Sequence, residues 1–205
     1  MRSTRAALLL AALLSSAGLA ADSAPTVVID RTALPQAVTD LPGFERRIFQ
    51  DGRVYIAGQP NEEALKKLKE RGVTLIVNFR TLAEVNDRTE VLYDEPAAVA
   101  ALGMEYLSLP IGGETPFRPE VLQKVHEALL RHRGPVLLHC TVAWRASYVW
   151  AAYGAQYLGL DLDAALARGR AIGISEDPLS LLLGRKLKLV DAEPRPPQPT
   201  PAPLR

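Results

Sequence analysis

Cysteine is nearly absent from this chain: Cys140 is the single thiol in 205 residues. One thiol builds no internal disulfide framework, so Cys140 is either a small buried hydrophobe or a reactive group. Histidine is scarce too, with three in all. His126 and His132 lie six apart in a helical stretch, off a common face, so they do not fit a metal pair. No metal-ligand cluster, nucleotide-binding glycine loop, serine triad or internal repeat is visible. An excess of charge is also missing, since Lys and Arg number 24 against 23 Asp and Glu, a formal net charge of +1. That balance argues against nucleic acid or an anionic membrane surface as the main partner.

The N-terminus, MRSTRAALLLAALLSSAGLA, places Arg2 and Arg5 before an apolar stretch that begins at Ala6. It closes on the small residues Ala17-Gly18-Leu19-Ala20, completing the three-part pattern of a secretory signal. The apolar core is short and rich in Ala and Ser for a membrane span, with a single anchoring helix as the alternative. No cysteine follows the cut, which excludes a lipoprotein anchor. The expectation is cleavage after Ala20 and a secreted, periplasmic protein with no integral span after cleavage. Removing residues 1–20 shifts the net charge to about −1 and leaves about 185 residues, enough for one domain with a sizeable core.

Residues 21–50 carry Pro25, Pro35 and Pro42 without a clear period and read as an irregular entry segment. A domain over 51–191 follows, and the proline-rich AEPRPPQPTPAPLR (192–205) reads as a disordered tail. Within the domain, strand and helix patterns alternate. RVYIAG (53–58) reads as a strand, GQP as a turn, and NEEALKKLKERG (61–72) as a helix capped by Asn61 and stopped by Gly72. VTLIVNF (73–79) and PVLLH (135–139) are apolar runs suited to strands covered on both faces. Glu95–Leu102 reads as a helix and MEYLSL (104–109) as a strand. Pro119–Arg133 is amphipathic, with Val121, Val125 and Leu129 on one stripe and Gly134 ending it. The helix from Ala146 to Leu158 is apolar nearly all round and should be central, with Tyr148, Trp150 and Tyr153 as core. Residues 161–171 and 177–190 also look helical. The pattern predicts an α/β fold, a mostly parallel central sheet flanked by helices.

Cys140 therefore stands at the carboxyl end of a central strand, where a loop feeds a buried helix. Open α/β sheets bind ligands at such places. Backbone N–H groups of Thr141, Val142, Ala143, Trp144 and Arg145 can cradle an anion there, aided by the helix dipole. The same field favours thiolate over thiol, and cysteines so placed have pKa values of roughly 3.5–7.5. Arg145 offers a two-pronged grip on an oxyanion. A nucleophile, an anion cradle and a fixed positive charge are the parts needed to attack a tetrahedral anionic group.

His-Cys, a short loop and an Arg that opens a helix resemble the signature of the cysteine-dependent protein phosphatases. The wider stretch is similar to one bacterial branch, the dual-specificity-phosphatase-like domains also found beside β-lactamase-like hydrolases. The resemblance rests on "AGQPNEEALKKLKERGVTLIVNFRTLAEV" (57–85), "ALGMEYLSLPI" (101–111) and "GPVLLHCTVAWRASYVWAAY" (134–153), and covers roughly residues 50–160. It implies Cys140 as nucleophile, Arg145 as phosphate clamp and a cysteinyl-phosphate intermediate hydrolysed without a metal or cofactor. The implied partner is a phosphorylated substrate, and phosphotyrosine, phosphoserine, a phosphoinositide and a small phosphate ester all stay open.

This loop has four residues between Cys140 and Arg145, where most cysteine phosphatases have five. The bacterial branch shares the shorter loop but carries Gly-Asn where this chain has Ala143-Trp144. The six-residue loop also resembles that of rhodanese-type sulfurtransferases, which hold a persulfide. A phosphate-binding module without turnover is a third reading. A phosphatase needs an acid for the leaving oxygen, and in "LPIGGETPFRPE" (109–120) Glu114 is either that acid or a solvated loop residue. Arg80, at the end of a buried strand, could touch a second anionic group or pair with Glu84 at i+4, the pairing being favoured. Gln59 reads as a turn residue, and His139 as a positioning residue turned away from the pocket.

Overall fold

Asp51-Gly52 between two short apolar runs is a hairpin signal, and it organises one side of the sheet. The computed structural model describes residues 29–174 and 179–185. Strands β1 (Gln36–Val38) and β2 (Ile48–Asp51) precede β3 (Val54–Ala57). Asp51 pairs with Val54 across a two-residue turn that holds Gly52 at φ 58°. Residues 21–50, read from sequence as irregular, thus contain two antiparallel strands, β1 on β2 and β2 on β3. These strands have three and four residues, too few to show a period through the surrounding prolines. The proposed signal segment, its cleavage site and the proline-rich tail lie outside the described residues.

Helix α1 (Glu62–Glu70) starts where the Asn61 side chain accepts from the Ala64 N–H, and buries Ala64, Leu65 and Leu68. Strand β4 (Leu75–Asn78) is buried throughout. A short helix α2 (Leu82–Asn86), which the apolar pattern did not predict, follows, then α3 (Glu95–Ala101) and β5 (Glu105–Ser108). Helix α4 spans Pro119–Arg131, two residues short of the sequence reading. His132 leaves the helix in an extended conformation, its ring bonded to Glu105 at 3.0 Å and within 3.4 Å of Thr74. Strand β6 (Val136–His139) leads to α5 (Trp144–Tyr157), α6 (Leu162–Ile172) and α7 (Leu179–Leu183).

The sheet order is β1-β2-β3-β6-β4-β5, with β3, β6, β4 and β5 mutually parallel. Side chains alternate across it with period two. Val54, Ile56, Leu75, Val77, Val136 and Leu138 pack beneath α4, α5 and α7. Tyr55, Ala57, Ile76 and Leu137 face α1 and α3. Helix α5 is buried from Ala146 to Gly154, the central helix that its apolar sequence requires. The antiparallel hairpin is fastened to these helices at Asp51, which accepts from Trp150 Nε1 at 2.9 Å and from Arg168. Both charged groups are buried, so either partner alone would leave an uncompensated charge. Among the described residues no helix is long and apolar enough to cross a membrane.

Candidate active site

The alternation of β6 sends two consecutive residues to opposite layers. Cys140 continues the Val136 and Leu138 face and lies buried under α5, while His139 joins the Leu137 face. His139 lies wholly buried, its Nε2 3.2 Å from Glu95 Oε1. The angles there do not make a hydrogen bond, and neither ring nitrogen has one among the described residues. Burial, opposed by Glu95, drives its pKa below the ordinary value and keeps the imidazole neutral.

The loop after Cys140 is backed by the GQP turn. The Gln59 N–H donates to the Thr141 carbonyl at 3.0 Å, and Gly58 bridges to Val142. A side chain at position 58 would bring Cβ within 3.0 Å of the Thr141 carbonyl oxygen, so this close approach requires glycine. Ala143 ends the loop at φ 72°, the one non-glycine residue at positive φ among those described. The backbone therefore keeps a left-handed bend that a glycine would take without cost, and an L-residue there costs about 1–2 kcal/mol. Ala143→Gly should raise stability by about 1 kcal/mol, read from the urea midpoint. A fall in stability would mean that the bend is not strained. Trp144, expected within the loop, is the first residue of α5.

Arg145 reaches back across the sheet ends. Its Nη1 donates to Glu84 Oε2 (2.7 Å), the Ile111 carbonyl (2.8 Å) and the Phe79 carbonyl (3.3 Å). Its Nη2 donates to Glu84 Oε1 (2.6 Å) and Thr141 Oγ1 (3.0 Å), while the Thr141 hydroxyl donates to Glu84 Oε1 at 2.8 Å. Burial pulls the Arg145 pKa down, but the Glu84 bond and the nearby Cys140 sulfur outweigh it, and the net direction is up. The Arg145 hydrogen bond, against some desolvation, holds the Glu84 carboxyl far below the carboxylate range.

Glu84 is the site residue that sequence reasoning missed. Its visible signal was the T-x-x-E capping box of α2: Thr81 Oγ1 accepts from the Glu84 N–H, and the Glu84 carboxylate accepts from the Thr81 N–H. With both carboxylate oxygens committed, the favoured Arg80–Glu84 side-chain pair does not form. Arg80 is buried and donates instead to the Glu84 backbone carbonyl and to Gln59 Oε1 at 2.9 Å. It braces the segment that carries Glu84 and is not among the residues lining the cavity at Cys140. Gln59 is more than a turn residue, since its amide also donates to Glu95 at 2.9 Å.

Cys140 and Arg145 line one cavity of about 420 Å³, with Val142, Trp144, Ile111, Gly112, Pro116, Phe117 and Leu181. Trp144 packs edge-on to Phe117 at 5.7 Å and to Tyr148 at 4.9 Å, making an aromatic wall. The opening is apolar apart from the thiol and the guanidinium. Glu114 stands exposed on the turn closed by Gly112 and Thr115, next to the cavity but not lining it. His126 stacks on Tyr157 at 4.0 Å and bonds Tyr153 Oη at 3.0 Å.

Residues 49–157, more than half of the chain, match the family model of the beta-lactamase hydrolase-like protein, phosphatase-like domain. Solved structures share the fold. TpbA of P. aeruginosa is 24% identical, with a TM-score of 0.57 over 76% of this chain and 92% of its own; it has also been solved with phosphotyrosine. Tk-PTP in its active form is 24% identical, with a TM-score of 0.54 over 65% and 90%. PTPMT1 is 20% identical, with a TM-score of 0.53 over 64% and 87%. No curated protein matches the sequence.

Proposed function

The chain belongs to the phosphatase-like domain family of beta-lactamase hydrolase-like proteins, and on that premise we propose a cysteine-dependent phosphatase that hydrolyses phosphate monoesters through a cysteinyl-phosphate intermediate. One observation carries this reading. The thiol of Cys140 and the guanidinium of Arg145 share one cavity, and the guanidinium is fixed from behind by Glu84. A positive group held in place before substrate arrives needs no reorganisation as charge develops on the phosphoryl oxygens.

In the proposed cycle the Cys140 thiolate attacks phosphorus, the P–S bond forms and the bond to the leaving oxygen breaks. Water then displaces sulfur, releasing inorganic phosphate and restoring the thiolate. Arg145 and the loop N–H groups of residues 141–145 hold the phosphoryl oxygens in both steps. The apolar wall of Phe117 and Trp144 suits an aryl ester, and the phosphotyrosine complex of TpbA supports that substrate class. A nitrophenyl phosphate assay beside a thiosulfate–cyanide assay tests the reading. Sulfur transfer without phosphate release would replace it with the sulfurtransferase.

The leaving oxygen needs a proton. Glu84 cannot supply it, since Arg145 keeps that carboxyl ionised. We assign the step to Glu114, whose turn has Gly112 at φ 128° and Gly113 at φ 56°. Glu114→Gln should slow alkyl phosphate turnover by roughly 10²–10⁴-fold and nitrophenyl phosphate turnover far less. Equal losses on the two esters would remove Glu114 from the role. The signal-like N-terminus supports a location outside the cytoplasm for this activity, and sequencing of the native protein should start at Ala21. A Met1 start would argue for an uncleaved segment.

A further inference from the structure

The loop that carries Cys140 borders a second pocket. It measures about 320 Å³ and is lined by Arg46, Arg47 and Arg170, with Phe49 and Ile172 as apolar floor and Val142 and Ala143 as the wall shared with the loop. Val142 also lines the cavity over Cys140, so the two hollows meet across one residue. Cys140 and Val142 are two positions apart, which keeps their Cα atoms within about 7 Å. About two residues of extended peptide cover that step.

We propose that this pocket takes an acidic side chain next to the phosphorylated residue, so that preferred substrates are phosphotyrosyl peptides flanked by Asp or Glu. This rests on the phosphatase reading of the neighbouring cavity. The charge pattern favours it. No acidic residue lines the pocket among the described residues. Arg46 and Arg47 are exposed, and neither side chain has an ion pair or hydrogen bond among the described residues. Arg170 has contacts of its own, and Arg46 and Arg47 supply the charge that would receive an acid.

The backbone that presents these arginines is fixed to the active loop. The Glu45 N–H donates to the Gln59 carbonyl at 2.9 Å, and a Cβ at Gly58 would lie 3.2 Å from the Arg46 nitrogen. The arginines therefore stand at a set distance from the nucleophile. Two guanidinium forks can each grip a carboxylate, while Phe49 and Ile172 can cover its methylene groups. The cavity over Cys140 has an apolar rim and no cation but Arg145, so it holds one aryl phosphate and no second charge. A ligand that fills both hollows joins an aryl phosphate to a neighbouring acid.

The test reads binding and turnover separately. Full-length Cys140→Ser protein is titrated with phosphotyrosyl peptides bearing Glu, Gln or Lys on both flanks, and with a small alkyl bisphosphate. The Glu peptide should bind roughly tenfold tighter than the Gln peptide, and the difference should shrink as salt rises. Arg46→Gln with Arg47→Gln should erase the preference, and Arg46→Glu with Arg47→Glu should turn it toward the Lys peptide. Equal binding of the Glu and Gln peptides would overturn the proposal, as would a preference that survives charge reversal. An arginine-dependent gain confined to the bisphosphate would overturn the peptide assignment. If wild-type protein releases no phosphate from nitrophenyl phosphate, the phosphatase reading fails alone, because the binding preference is read without turnover.

Discussion

Cys140→Ser is expected to fold, to keep its affinity for phosphate and vanadate, and to lose phosphatase turnover by roughly 10⁶-fold, the scale set by deleting a covalent nucleophile. The substitution exchanges sulfur for a smaller oxygen in a buried position, so the packing of β6 against α5 should survive. What disappears is the nucleophile, since a serine hydroxyl has almost no anionic form at neutral pH and, among the described residues, no base lines its cavity. His139 cannot serve, because it lies buried against Glu95 on the other side of the sheet. The measurement is a burst-phase assay on nitrophenyl phosphate together with phosphate titration. Turnover within tenfold of wild type would remove covalent catalysis from the reading. A persulfide on Cys140 after thiosulfate treatment, with no ester hydrolysed, would give the site to sulfur chemistry.

How much of this was legible before the structure depends on the range of the interaction. The parallel strands and flanking helices are written locally, in apolar runs bounded by Asn61, Gly72 and Gly134, and the fold places them close to their reading, except that the helix read over 177–190 stops at Leu183, where Gly184 turns at φ 62°. The Cys140 loop was legible for the same reason, because a strand end and a helix start within six residues leave the chain little choice. The hairpin over β2 and β3 was visible only as Asp51-Gly52, a signal that the prolines of the preceding segment obscured. What holds that hairpin is the Asp51 contact with Trp150 and Arg168, about a hundred residues away.

The role of Glu84 could not be read at all from spacing. Two local patterns claim its carboxylate, a capping box with Thr81 and an i+4 pair with Arg80; the box forms, the pair does not, and Arg145, 61 residues on, takes both oxygens, sharing one with the box. Energetics explain the outcome. Arg145 offers two parallel N–H bonds to both oxygens, a geometry stronger than a single surface pair. Arg80, drawn to the Glu84 carbonyl and to Gln59, becomes a brace for α2. Ala143 is the converse case: the sequence showed a glycine missing, and the backbone adopts the left-handed bend regardless.

Arg145→Lys is expected to lower kcat/KM by roughly 10³–10⁵-fold, the range for losing an arginine that stabilises a phosphoryl transition state. The geometry says why the charge alone does not suffice. Arg145 already spends its Nη atoms on Glu84, Thr141 and two carbonyls. Only a branched, planar cation can satisfy those partners with its Nη groups and still have an Nε–H to direct at a phosphoryl oxygen. A lysine ammonium reaching the same place would be drawn to Glu84, which stays ionised, and would leave the phosphate ungripped. Phosphate affinity should therefore fall together with turnover, unlike Cys140→Ser. Glu84→Gln separates clamp from anchor: it keeps the side-chain size, removes the charge and turns one of the two acceptor oxygens into a donor, and should cost less than Arg145→Lys in both readouts. If Arg145→Lys bound phosphate as well as wild type did, the guanidinium would be a structural strut for α2. The oxyanion cradle would then have to be built from backbone N–H groups alone.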